Sequence, residues 1–180
     1  MSEQTANPVA LLVEIERRAR HNAAGLPQQE DLREQWSAIG FQLGGRALLA
    51  PLGQVTEILT LPVLTRVPGA KPWVLGIANV RGNLLPIMDL NGYLFGRRMV
   101  PGKRSRVLVI NHRGVFAGLL VDQVLGLRHF EATARSGSAP EANQELVPYL
   151  EPGFPVHEEV WPVFSMRRLA ESPLFMQVAV

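Results

Sequence analysis

The sequence has no cysteine, which excludes disulfides, thiolate nucleophiles and cysteine-based metal sites. It also has no apolar run approaching the roughly 18 residues that cross a bilayer. The opening stretch, MSEQTANPVALLVEIERR, lacks the basic region of a signal peptide and sets Glu14 and Glu16 among its apolar residues. The expected address is therefore the cytoplasm, without direct membrane insertion. Aromatic residues are sparse, at 7%. Lysine is nearly missing, because the 18 basic residues are all arginine except Lys71 and Lys103. Excess charge is small too: a formal +2 is too little to mark a nucleic-acid binder by itself.

Signatures of chemistry are equally thin. The four histidines, His21, His112, His129 and His157, show no ligand spacing such as His-x-x-x-His, so no metal or other cofactor is expected. Neither a Gly-x-Ser-x-Gly elbow nor a phosphate-cradling Gly-x-x-x-x-Gly-Lys-Ser/Thr loop is present. Asp89 and Asp122 end apolar strands, and a catalytic pair would need one of them buried to shift its pKa. Strand-end aspartates more often satisfy turn amides. Trp36, Trp73 and Trp161 fall at strand starts or within strands and read as packing. An enzyme is not expected.

What the chain does have is a long, mixed core-forming sequence. With 180 residues, 47% of them hydrophobic and 19% charged, it reads as globular, either one large domain or two small ones sharing a core. Residues 1–35 read as a helical extension. Asn7 is a good N-cap with Pro8 at the first helical position. Val9, Leu12, Ile15, Glu16 and Ala19 share a mostly apolar face, and Gly25 and Pro27 end the helix.

From Trp36 onward the period changes to that of strands. IGFQLGGRALLAPLGQVTEIL turns at Gly44-Gly45, and RVLVINHRGVFAGLLVDQVLGL turns near His112-Arg113-Gly114. Placing Gln54-Val55 over Gln123-Val124 aligns Gly45 with Gly114, Phe41 with Ile110, Leu52 with Val121 and Ile58 with Leu127 at one constant offset. A second block follows in the same order, LLPIMDL over VWPVFSM, with Pro86 over Pro162. Such a repeat implies two small β units, each too small for a comfortable core alone and so packed together. Short strands with glycine turns favour barrels or sandwiches. Proline removes a ladder donor, so Pro86 and Pro162 are expected at edges or bulges. The polar stretch SGSAPEANQELVPY reads as a loop or short helix within the second unit.

Two stretches raise functional questions. VLGIANVRGNLLPIMDL, residues 74–90, interrupts an apolar run with Arg81-Gly82-Asn83. Arg81 is either a solvated turn residue or an anchor held out to bind, since a guanidinium pairs bidentately with a carboxylate. GRRMVPGKRSR, residues 96–106, gathers Arg97, Arg98, Lys103, Arg104 and Arg106 in one loop. That loop is either solvated or able to touch phosphates or an acidic partner. A small β-barrel nucleic-acid binder using this loop is the alternative reading, although interleaved aromatics for base stacking are missing.

Taken in order, GFQLGGRALLAPLGQVTEIL, TRVPGAKPWVLGIANVRGNLLPIMDL and RVLVINHRGVFAGLLVDQVLGL resemble the segments of the CheW-like chemotaxis adaptor family. The resemblance runs from about residue 36 to 170. It includes the pattern Gly-x-x-Asn-x-Arg-Gly-x-x-x-Pro-x-x-Asp-Leu, here Gly76 to Leu90. Within the family, the wording is most similar to the adaptors of type IV pilus twitching-motility systems. The resemblance implies a mainly β fold of two packed five-stranded SH3-like barrels, intertwined over residues 36–175. It implies a non-catalytic scaffold joining the cytoplasmic tip of a chemoreceptor to the regulatory domain of a histidine kinase. It also implies a receptor-contacting surface carrying Arg81, with Val55, Glu57, Gly76, Asn79 and Gly82 matching family positions. The basic loop and the N-terminal extension are not part of the common family core, and no kinase-contacting residue carries over.

Overall fold

The computed structural model describes residues 35–136 and 143–178. The helical extension expected over residues 1–35 lies outside the described residues, as does His21, except for Gln35, which opens a strand instead. Ten strands make up most of the rest: β1 Gln35–Leu43, β2 Arg46–Pro51, β3 Glu57–Leu59, β4 Val74–Val80 and β5 Asn83–Asp89, then β6 Arg106–His112, β7 Val115–Val121, β8 Gln123–Glu131, β9 Leu150–Val156 and β10 Glu159–Phe164. Three short helices accompany them, α1 Leu90–Phe95, α2 Met166–Ala170 and α3 Pro173–Met176. Both hairpins expected from the glycine turns form, β1–β2 and β6–β7.

The repeat is real and longer than its sequence signal. Each half runs through five strands and then a short helix capped at its start, by Asp89 in the first half and by Ser165 in the second. The halves do not, however, form one sheet each. The first five-stranded sheet has the order β8-β1-β2-β10-β9, and the second has β3-β6-β7-β5-β4. Every sheet therefore takes its opening hairpin from one repeat and its other three strands from the other repeat. Both sheets close in the same way. Ser136, just past β8, donates to the Gly153 carbonyl in β9 at 2.8 Å. Thr65, past β3, exchanges bonds with Ile77 in β4 at 2.9 and 2.8 Å. The outermost strands of each sheet are thus brought together, which removes open edges.

Three clusters fill the interior. Ala78, Leu85, Ile87, Val107, Val109 and Leu120 pack inside the second barrel. Ala38, Leu49, Phe154 and Val163 do so in the first, under Trp36, Phe130 and Trp161, with Trp36 stacked on Phe154 at 4.5 Å. The largest cluster lies between the barrels and draws on both, with Phe41, Leu43, Leu48, Leu108, Ile110, Leu119, Phe164 and Phe175 among its members. Strand β6 shows why its sequence is continuously apolar. Val107 and Val109 point into the barrel, while Leu108 and Ile110 point into the shared core. Successive side chains face opposite sides of a strand, and here both sides are dry.

The proline expectation holds at one site and fails at the other. Pro162 sits where the β9–β10 register shifts, between Trp161 and Val163. Pro86 instead lies in an interior strand, opposite Ile77. It is tolerated because Ile77 uses its own amide and carbonyl on Thr65, which turns the Pro86 nitrogen away from β4. On the far side, the ladder to β7 begins only at Ile87. No hydrogen bond is lost.

A hydroxyl cluster ties the two halves at the shared core. Tyr93 on α1 meets the Tyr149 hydroxyl at 2.8 Å and the Ser172 hydroxyl at 3.2 Å. Burial, the largest cause, pushes the Tyr93 phenol up from 10.0 to about 12. A raised folded pKa stabilises the protein fully below pH 10, and that contribution is lost as pH rises through 12. Stability is therefore expected to fall between about pH 10 and 12, and the fall should be smaller in Tyr93→Phe. Denaturation followed by tryptophan fluorescence across that range checks it. Equal pH dependence in the two proteins would show that Tyr93 does not carry the effect.

Candidate functional site

The β4–β5 hairpin ends in a two-residue turn whose central residues both adopt the left-handed region, Arg81 at φ 51° and Gly82 at φ 85°. Positive φ at both positions is the geometry that matches the natural twist of a tight hairpin. Glycine takes it freely, whereas arginine is strained there by about 1 kcal/mol. The turn is held by Asn79, whose Oδ1 accepts the Gly82 amide at 2.9 Å. Val80 pairs with Asn83 across the neck. A charged side chain is therefore presented from a fixed backbone.

Arg81 does have a partner. Its Nη2 lies 2.7 Å from Oε1 of Glu57, with the arginine side chain 79% exposed and the glutamate 30%. Glu57 lies on β3, paired with Val109 of β6. Strands β3 and β4 are at opposite ends of the sheet order and meet because the barrel closes. The ion pair is solvated on the arginine side, so it contributes roughly 0–1 kcal/mol. It aims the guanidinium without consuming it, since the fork has further donors.

Four of the six residues singled out in the sequence thus share one end of the barrel: Glu57, Asn79, Arg81 and Gly82. The other two sit elsewhere. Val55 is buried in the core between the barrels. Gly76 is buried inside β4, where a Cβ would stand 2.5 Å from the Thr65 carbonyl oxygen. Its lack of a side chain is what lets the closing segment bond to Ile77. One exposed apolar residue near the turn was not singled out: Leu84, 69% exposed and paired with Asn79 across the hairpin. Strict alternation carries the signal for Leu84. Leu85 belongs to the barrel core, so its neighbour in the same apolar run must face outward.

The acids considered for catalysis are occupied. Asp89 is fully buried, with Oδ1 accepting the Gly92 amide at 2.9 Å and Oδ2 the Met99 amide at 2.7 Å. Asp122 accepts from the Gly45 amide at 3.2 Å and from Asn91 Nδ2 at 2.9 Å. Both hold turns and helix starts, the role common for strand-end aspartates. His129 bonds to Ser37 at 2.8 Å. His112 meets Glu171 at 2.9 Å, with Arg113 on the same carboxylate oxygen at 3.1 Å. The His112 hydrogen bond is the first cause holding the Glu171 carboxyl below its ordinary range. Among the described residues no group of three or more His, Cys, Asp or Glu side chains could hold a metal ion. No helix there is long and apolar enough to cross a membrane.

Two closed five-stranded barrels, exchanged between repeats and carrying a strained arginine turn, match a known class. The CheW-like domain family covers residues 37–173, and the chain belongs to that family. Over 174 residues, spanning 96% of this chain and 97% of the relative, it is 48% identical to Protein PilI of Pseudomonas aeruginosa. It is 32% identical to the chemotaxis protein CheW of Helicobacter pylori over 113 residues, 63% of this chain and 68% of that protein. The fold is similar to the crystal structure of the scaffolding protein TtCheW from Thermoanaerobacter tengcongensis, with a TM-score of 0.66 and 20% identity, covering 77% of this chain and 94% of that one.

Proposed function

We propose that this chain is a chemosensory coupling adaptor that acts by holding partners in place, with a chemoreceptor's cytoplasmic tip on one face and a histidine kinase's regulatory domain on another. It works in the cytoplasm, recruited to receptor arrays, in the pathway that controls type IV pilus twitching. The likeness to Protein PilI along nearly the whole chain supports that pathway. The observation that carries the mechanism is Arg81: a largely exposed guanidinium aimed by Glu57 from a fixed turn, with exposed Leu84 on the same hairpin. Arginine is among the residues enriched at binding hot spots. Preorganisation lowers the entropy lost on docking. Arg81 reaches an acidic group on the receptor, with Glu57 fixing its direction and Asn79 and Gly82 fixing the turn. Kinase activity then follows receptor conformation through geometry alone.

Calorimetric titration with the isolated regulatory domain of a histidine kinase from the same cell tests the reading. Saturable binding near one to one, with a Kd of about 1 μM or tighter, corresponding to roughly −8 kcal/mol, is the expected result. No heat and no complex at high concentration would remove the kinase from the scheme.

A further inference from the structure

The loop from Gly96 to Arg106 has no part in the adaptor function proposed above. It is built rather than loose. The Met99 amide is held by Asp89 at 2.7 Å, and the Gly102 amide by the Ser105 hydroxyl at 2.9 Å. Arg106 Nη1 donates to the Lys103 carbonyl at 2.9 Å and to the Ser105 carbonyl at 2.7 Å. Arg106 is thus spent on shaping the loop, while Arg97, Arg98, Lys103 and Arg104 all remain exposed. Among the described residues none of these cations has an acid within ion-pair distance. Val100 stands between the two basic pairs and is 89% exposed. Beside it opens a cavity of about 560 Å³ lined by Met99, Val100, Gly102, Lys103, Arg104, Ser105 and Asp122. Asp122 keeps its charge on that lining but forms no ion pair with the cations, and its oxygens accept from Gly45 and Asn91; one carboxylate leaves the four cations in excess.

We propose that this loop is a second docking surface, which takes an acidic segment of a partner protein bearing an apolar side chain. Exposed cations carried on an ordered loop without acids of their own call for anionic groups, and three of the four are arginines suited to carboxylates. An exposed valine beside a cavity calls for an apolar group between those anions. A flat bilayer surface would leave the cavity unfilled, and a single valine offers little area for insertion. Single-stranded nucleic acid stacks on aromatic rings, and none occurs between Gly96 and Arg106. An acidic, partly apolar peptide uses every feature.

The test is fluorescence anisotropy of the full chain with a labelled peptide alternating glutamate and leucine. All-glutamate peptide, phosphatidylserine-containing vesicles and single-stranded oligodeoxythymidine serve as competing probes. Expected is saturable binding that weakens with salt and falls about tenfold in the double variants Arg97→Glu/Arg98→Glu and Lys103→Glu/Arg104→Glu. Val100→Ser should weaken the glutamate–leucine peptide severalfold but leave all-glutamate unchanged. All of these positions are exposed, so melting temperatures should match the parent. Arg81→Ala should bind the peptide normally, which separates this surface from the receptor-contacting one. Absence of binding, tighter binding to vesicles or to the oligonucleotide, or indifference to Val100→Ser would each overturn the proposal.

Discussion

Gly76→Ala is expected to lower stability by about 3 kcal/mol or more, because the new Cβ meets backbone rather than a yielding side chain. At the native position that atom stands 2.5 Å from the Thr65 carbonyl oxygen and 3.1 Å from its carbonyl carbon. The glycine also holds φ at +151°, a conformation that L-residues adopt only under strain. The Thr65–Ile77 bonds must break or the strand must move, and these bonds close the second barrel. For a domain of this size, about 3 kcal/mol corresponds to a fall in Tm of roughly 6–12 °C. A thermal melt by circular dichroism checks it. A melt unchanged within a degree or so would mean that the closing segment is dispensable. Binding of a receptor tip should also be lost, since Glu57 and Arg81 meet through that closure. The loss would come through the fold, and the melt would reveal it.

Replacing Arg81 should do the opposite. Arg81→Gly is expected to weaken association with the chemoreceptor tip by about thirtyfold or more, the scale of a hot-spot residue, while leaving the melt unchanged or slightly higher. The ion pair with Glu57 contributes at most about 1 kcal/mol on a side chain this exposed. Glycine relieves a comparable strain at φ 51°. The two terms nearly cancel, so the fold does not need this arginine. Arg113 and His157 hold the same left-handed conformation at other turns, so it is the exposure of Arg81 at the tip, not the strain, that leaves it free to bind. Titration of parent and variant with a receptor cytoplasmic fragment, each paired with a melt, separates the cases. Undiminished receptor binding would sink the contact role of Arg81. A large loss of Tm would make it a structural ion pair instead. Glu57→Gln gives an intermediate result if aiming matters, since the guanidinium remains but loses its guide.

Much of this molecule follows from local rules. Gly44-Gly45 and Arg113-Gly114 fix hairpins, because positive φ is needed there whatever the surroundings. The matched blocks, with Pro86 over Pro162, place equivalent strands in both halves, and the structure extends that match through every strand and adds a capped helix after each block. Period-two alternation separates Leu85 from Leu84, one inside and one out. Family membership was legible in the run from Gly76 to Leu90.

Pairing partners beyond the hairpins were not legible. Alternation tells which way a side chain faces, but any strand with an apolar face can lie beside any other. Equivalent strands in two repeats are nearly interchangeable partners. Only closure of both barrels around one shared core selects the exchanged arrangement, with β1–β2 beside β8, β9 and β10. The same closure gives Arg81 its acid and brings Thr65 against Gly76. None of these contacts is local, and each exists because strands from opposite ends of a sheet are forced to meet. The sequence by itself determined the elements, their turns and the arginine at the tip; the tertiary structure decided what that arginine stands beside.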